Sequence, residues 1–356
     1  MAAQAAHAAE RVLTTLAHLI DEDCLREAYR PTSKASAAGI DGVTAQRYAE
    51  HLAEHRRDRH ERVRRGGYEA PPVERVWREQ DDGGQRPLGK PTCEDQMVHR
   101  AGARLLDAID EQDLQDSSYG FRRGRSPHEA LHALRERCMT EGIGWIVEAE
   151  VRGDFESIDK TWLRDRLRTR VHEGSLVRLM GKWRHAGVRE AGVLRHPETG
   201  VPQGGVRSPG LANLCLHQVV DAWCERAGRP RMKGRGFLMR CAEDVVMGGA
   251  LATEARRIMA VLPTRCARFG RRMHPTKTAL SAFRKPGVRQ DTEDGNGPCD
   301  FLGLTHSWTT SRRGCWVIKR TTAGKRRRRP KKSLWRWGRP NRHAPLQDQY
   351  QRRCLK

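Results

Sequence analysis

Three carboxylates raise the question of chemistry. Glu150 ends a short run rich in β-branched residues, and Glu243 and Asp244 interrupt the apolar stretch "RCAEDVV" (240–246). The flanking runs, 237–241 and 245–247, predict the two strands of a hairpin with both acids in its turn. Carboxylates from neighbouring strands can converge on one point. Such a cluster can hold two Mg²⁺ ions, which clamp the attacking and leaving oxygens of phosphoryl transfer. Magnesium asks for hard oxygen ligands in near-octahedral geometry. Acids in a hairpin turn also serve as solvated turn formers, so the carboxylates alone leave both readings open. A second stretch, "GVPQGGVRSPGLAN" (200–213), sets two glycines ahead of a helix start. Glycine lets backbone approach a ligand closely, and a helix start offers unpaired N–H groups. A tight turn before a capped helix explains the same residues without a ligand.

The elements that must position these residues follow from local pattern. Residues 1–60 have helical spacing, interrupted at 30–44 by a polar, turn-forming segment. Runs at 73–77 and 86–88 flank "REQDDGG" and predict a hairpin. Helical spacing returns over 94–115. The loop "SSYGFRRGRSPHEAL" (117–131) leads into a helix reaching about Cys138, with Ser126 as cap, Pro127 at the first position and Glu129 completing a capping box. A strand over 145–151 carries Glu150. "SIDKTWLRDRLRTRV" is an amphipathic helix, and so is "SPGLANLCLHQVVDAWCERAG", with Ser208 as cap and Gly228 beyond its end. A helix from about Thr253 ends at Gly270, and strands are predicted at 299–305 and 315–319. Strands alternate with helices only loosely and no repeat is present, which predicts an α+β fold.

Composition narrows the partner. The chain has 356 residues with a formal net charge of +23, an excess that suits a polyanion such as nucleic acid. No run of 18 apolar residues suggests a membrane span. The N-terminus has no signal-peptide pattern. The ten cysteines contain no C-x-x-C pair, which argues against a zinc site or disulfide framework and for reduced thiols in a cytoplasmic protein. Near the end, "GKRRRRPKKSLWRWGRP" (324–340) interleaves cations with Trp335 and Trp337. Cations can neutralise phosphates and indoles can stack on unpaired bases. Arg326, Arg327, Lys331, Lys332, Trp335 and Trp337 are therefore candidate RNA-binding residues; a basic tail with no defined ligand is the alternative.

Five stretches in order resemble the reverse-transcriptase domain of bacterial group II intron-encoded proteins: "GIDGVT" (39–44), "RPLGKPTCEDQMV" (86–98), "SSYGFRRGRSPHEAL" (117–131), "GVPQGGVRSPGLANLCLH" (200–217) and "MHPTKTALSAF" (273–283). "CDFLGLTH" (299–306) is similar to the segment that closes the family's palm, and "GRPNRHAPL" (338–346) to the start of its maturase region. The resemblance runs from about residue 35 to the C-terminus. It implies a right-hand polymerase of fingers, palm and thumb, with an antiparallel palm sheet and a helical thumb. Residues 1–60 would form an N-terminal helical extension and the start of the fingers, 61–144 the fingers, 145–305 the palm, and 306–356 a partial, basic maturase or thumb region. The implied activity is RNA-directed DNA synthesis and intron maturation by two-metal nucleotidyl transfer. It would use Mg²⁺ or Mn²⁺, deoxynucleotide triphosphates, a DNA primer and group II intron RNA as template.

Position by position, the resemblance makes Glu150, Glu243 and Asp244 the catalytic metal ligands. Phe155 takes the place of the aromatic that screens out ribonucleotides. Gln203 and Gly204 would line the nucleotide and template, Arg86 would bind the triphosphate, and Lys277 would lie near the incoming nucleotide. The chain departs from the family at the chemistry. Glu150 and Glu243 stand where the family has Asp, and Cys241 where it has Tyr. Each change to Glu carries the carboxylate outward by one methylene, roughly 1.5 Å. Displacing a reacting group by about 1 Å can slow a reaction around 10²-fold; two independent losses would come to about 10⁴-fold, near 5–6 kcal/mol of barrier. An impaired enzyme is one expectation. A catalytically inactive polymerase-fold RNA-binding splicing factor, or a decayed element fragment, is the other. The sequence ends inside the segment resembling the maturase, which implies a short maturase region without a nuclease tail.

Overall fold

The structure, a computed structural model, describes residues 13–32, 38–79, 85–152, 160–196, 208–287 and 296–354. Within these residues the strands are β1 (Val73–Glu79), β2 (Gln85–Lys90), β3 (Trp145–Glu150), β4 (Val188–Glu190), β5 (Val193–Arg195), β6 (Gly236–Cys241), β7 (Asp244–Gly249), β8 (Ala279–Ala282), β9 (Cys299–Phe301), β10 (Leu304–Thr310) and β11 (Trp316–Thr322). They form three sheets, ordered β2-β1-β4-β5, β6-β7-β3-β8 and β11-β10-β9. Every neighbouring pair in the second sheet is antiparallel. Mixed helices and largely antiparallel sheets bear out the α+β expectation.

In the second sheet, strand alternation splits the side chains between two cores. Trp145, Val147 and Ala149 of β3 pack with Leu238, Val245 and Met247 against Val219, Val220 and Leu262. That face is covered by the helix Ala252–Ala267 and the helical stretch from Ser208. Ile146, Met239 and Val246 face the other way, onto Leu131 and Leu134 of the helix Pro127–Thr140 and onto Phe301 and Ile318. A third core surrounds the helix Cys93–Asp113, through Met97, Val98, Leu105 and Ile109. The predicted capping box is present: Glu129 N donates to Ser126 Oγ at 3.2 Å, and Ser126 N donates to Glu129 Oε2 at 2.7 Å.

Several local expectations are corrected. Asp244 is the first residue of β7, so the turn is Ala242–Glu243 alone. The run 299–305 is two strands, because Leu302 (φ 51°) and Gly303 (φ 78°) turn the chain between β9 and β10. The helix after Ser208 is α-helical only to Leu216. It is π-wound over His217–Asp221 and Cys224–Gly228, so Gly228 lies in the helical stretch and not beyond it. Arg265 donates to the carbonyls of Val219 (3.2 Å) and Gln218 (3.1 Å) beside the first π-turn. The basic run is not a tail but a helix, Gly324–Asn341, despite Pro330 and Pro340 within it. Each proline removes one helical N–H donor. Asn341 Nδ2 donates to the Trp337 carbonyl at 2.7 Å, and Arg339 lies over the Trp335 ring at 5.4 Å. No helix among the described residues is long and apolar enough to cross a membrane.

Candidate active site

Glu150 and Asp244 are direct cross-strand partners in the β3–β7 register, and Cys241 partners Asp244 across the hairpin. Alternation places all three on the face shared by Ile146, Met239 and Val246, at the end of the sheet where the hairpin turns. Glu243 occupies the turn, next to Ala242, whose φ of 57° is left-handed. A non-glycine residue held there stores strain of about 1–3 kcal/mol and persists only where its surroundings over-determine it. Several contacts do so at this turn. Val151 N donates to the Glu243 carbonyl at 3.0 Å, and Arg240 Nη1 to the Ala242 carbonyl at 3.2 Å. Gly120 presses against the turn; a Cβ on it would overlap the Ala242 nitrogen and lie 2.9 Å from the Cys241 carbonyl carbon.

The acids repel one another. Burial, then the charges of Glu150 and Glu243, push the Asp244 carboxyl up to about 6, against the pull of Lys277. Burial pushes the neighbouring Cys241 thiol up to about 11. Lys277 is the cation at the acids, its Nζ 2.8 Å from Glu150 Oε1 and 2.7 Å from Oε2. The Glu150 carbonyl accepts from His274 N at 2.8 Å, so the segment bearing Lys277 is tied to the strand bearing Glu150.

The donor chemistry fits a divalent ion. Carboxylate oxygens are hard ligands, and a cation would offset both the burial and the neighbouring negative charges that raise Asp244. The side chains as they stand do not yet enclose one, since among the described residues no three of His, Cys, Asp or Glu are placed to hold a metal. Glu150 and Asp244 are the adjacent pair; Glu243 is the adjoining third acid.

The remaining predicted residues distribute as follows. Arg86 lies in β2 opposite Arg78. Phe155, Gln203 and Gly204 lie outside the described residues. Arg326, Arg327, Lys331, Lys332, Trp335 and Trp337 share the helix Gly324–Asn341. Trp335 is 64% exposed while Trp337 is half-buried. Arg326 is partly engaged, donating to the Leu302 carbonyl at 3.4 Å.

Sequence reasoning missed what lies under the acids. Arg240, on the opposite face of β6, is fully buried. Its Nε and Nη2 donate to the two Asp221 oxygens at 2.7 Å each, and Nη2 also to Ser118 Oγ at 2.7 Å. Its Nη1 donates to Asn213 Oδ1 at 2.7 Å as well as to Ala242. Asn213 Nδ2 in turn donates to the Gly120 carbonyl at 2.6 Å. Burial alone would raise Asp221, but Arg240 beside it holds it below the usual carboxylate range. A lone arginine in the apolar run "GFLMRC" and a lone aspartate in "HQVVDAW" were the available signal.

Comparison with known proteins returns one family model, described as reverse transcriptase (RNA-dependent DNA polymerase), matching residues 78–306. Protein YkfC of Escherichia coli K12 is 31% identical over 222 residues, 61% of this chain and 58% of YkfC. The group II intron-encoded protein LtrA of Lactococcus lactis is 34% identical over 155 residues, 43% of this chain and 26% of LtrA. A 91 kDa protein in a cob intron of Schizosaccharomyces pombe is 32% identical over 150 residues, 42% of this chain and 18% of that protein. The matches thus span little more than half of YkfC and much less of the other two.

Proposed function

The chain belongs to the reverse transcriptase family, and from that premise we propose that it is an RNA-directed DNA polymerase and maturase of the group II intron type, slowed by its paired glutamates. Reverse transcriptases use divalent metal ions; Mg²⁺ is the proposed ion here, with Mn²⁺ able to replace it. The observation that carries the reading is the register that sets Glu150 against Asp244 beside the turn bearing Glu243.

Glu150, Glu243 and Asp244 are proposed to supply the oxygens that hold the ions. The bound metal would contribute Lewis acidity at the attacking oxygen and neutralise charge on the leaving group. Lys277 would give up Glu150 to the cation and turn toward the triphosphate, where Arg86 also binds. Phe155 would screen the sugar of the incoming deoxynucleotide, and Gln203 and Gly204 would line nucleotide and template. The helix Gly324–Asn341 would grip the RNA template and DNA primer, with cations on phosphates and Trp335 on exposed bases. We assign residues 61–144 to the fingers with β4 and β5 returning to their sheet, 145–305 otherwise to the palm, and 306–356 to a thumb or maturase region.

A second reading has one observation in its favour. Lys277 already neutralises Glu150, as expected of a polymerase-fold RNA-binding splicing factor that no longer needs a metal. Primer extension on an RNA template with Mg²⁺ or Mn²⁺ separates the two. Extension lost in Glu150→Ala supports the enzyme. No extension under either ion, together with tight salt-dependent RNA binding, supports the second reading.

A further inference from the structure

The group beneath the acids has no part in the function proposed above, yet it reaches both the Ala242–Glu243 turn and the Gly120 loop pressed against it. Arg240 commits all five of its N–H donors: two bonds to Asp221, and one each to Ser118, Asn213 and the Ala242 carbonyl. Five donors is the full capacity of a guanidinium. The backbone of Arg240 is also held from the side. Its N–H donates to the Ser117 carbonyl and its carbonyl accepts from Tyr119 N, each at 2.8 Å. Residues 117–119 thereby extend the palm sheet beyond β6. Asp221 reaches the site from the π-wound turn His217–Asp221. Such turns are rare and recur at functional sites.

Structural need alone does not explain this arrangement. A buried ion pair is often no more stabilising than apolar residues of the same volume, and the rest of this face is apolar. What the guanidinium adds is direction. One N–H fixes the carbonyl of the strained Ala242. The Asn213 side chain passes the constraint to Gly120, whose missing side chain lets it press on the same turn. The turn bearing Glu243 and leading into Asp244 is thus held from below and from the side.

We propose that Arg240, with Asn213 and Asp221, is the positioning group of the acidic turn, setting where Glu243 and Asp244 present their carboxylates. Groups that orient metal-binding carboxylates commonly contribute about 10–100-fold in metal affinity or activity. The proposal deepens the polymerase reading, on which its metal arm rests.

The test uses the full chain with Arg240→Lys and Asn213→Ala. Lysine has three donors and no planar fork, so it cannot serve Asp221, Ser118, Asn213 and Ala242 together. Asn213→Ala keeps the Asp221 pair and serves if Arg240→Lys does not fold. Three quantities are read well below the melting temperature: amide exchange over residues 240–245 against 304–310, Mn²⁺ affinity from the free-ion signal in electron paramagnetic resonance, and the Mn²⁺ dependence of primer extension. The expected result is faster exchange confined to 240–245 and a Mn²⁺ affinity weakened about 10–100-fold. A purely structural role would lower the melting temperature and leave both unchanged; that result overturns the proposal. If the unaltered protein binds no Mn²⁺ and extends no primer, the polymerase reading fails, and exchange at 240–245 alone decides whether the turn is positioned by Arg240.

Discussion

Charge is used in opposite ways in two regions of this chain. Beneath the palm turn, Arg240 and Asp221 are fully buried and every guanidinium donor is matched. In the helix Gly324–Asn341, cations such as Arg327, Lys331 and Lys332 are exposed, and Arg339 lies over the exposed Trp335 ring. A buried charge with a complete set of partners fixes geometry, because any displacement strands it in a medium that cannot solvate it. An exposed cation holds no fixed shape and is screened within about 8–10 Å by salt. The first arrangement suits a site that must place carboxylates; the second suits a surface that must follow a flexible polyanion.

The comparison breaks most readily at Asp221. Asp221→Ala leaves Arg240 buried and uncompensated, and calorimetry should show a loss of about 3–5 kcal/mol. Gly120→Ala should be milder for stability and severe for activity. Its new Cβ forces the backbone of the acidic turn aside, and a shift of about 1 Å there predicts around 10²-fold slower extension.

Another buried acid sharpens the contrast between a cationic partner and a neutral one. Asp95 accepts from the Tyr68 hydroxyl. Burial pushes it up to about 7, against the pull of Tyr68 and Arg59. From about pH 4 to 7 the folded protein keeps a proton that the unfolded chain has released, so this group's contribution is complete at low pH and is lost as pH rises through 7. Melting temperatures at pH 5 and pH 7.5 should differ in that direction, and Asp95→Asn should flatten the difference. Asp221 has the opposite sign: its folded value is lowered, so its contribution is lost only on acidification.

The smallest effect on stability belongs to the exposed helix. Lys331→Ala with Lys332→Ala should move the melting temperature hardly at all, within about 0.5 kcal/mol. RNA affinity should fall on all sequences alike. The slope of log affinity against log salt should drop by about one unit for each phosphate no longer neutralised.

Where sequence and structure part company, range in the chain is the cause. The capping box at Ser126 and Glu129, the strand ending at Glu150 and the 237–247 hairpin were legible because each is set by near neighbours. The β4–β5 hairpin was not: its strands are three residues each, and β4 joins β1 through a parallel pairing of two residues, Val188 with Val73 and Arg189 with Glu74. The break at Leu302 hides in a run that alternates well enough to look continuous. The π-turn at His217–Asp221 has no local signature, since tertiary partners such as Arg265 and Arg240 accompany it. The acids themselves were legible through motif order. The group holding them was not, because its members, Ser118, Asn213, Asp221 and Arg240, are up to 122 residues apart.

The central claim is that the palm still holds its acids in working order, each glutamate one methylene too long. The most direct measurement is primer extension on an RNA template by the full chain, by Glu150→Ala, and by the double variant Glu150→Asp with Glu243→Asp. The account predicts slow extension by the unaltered chain, none by Glu150→Ala, and a gain of up to about 10⁴-fold in the double variant. A double variant no faster than the unaltered chain would contradict it.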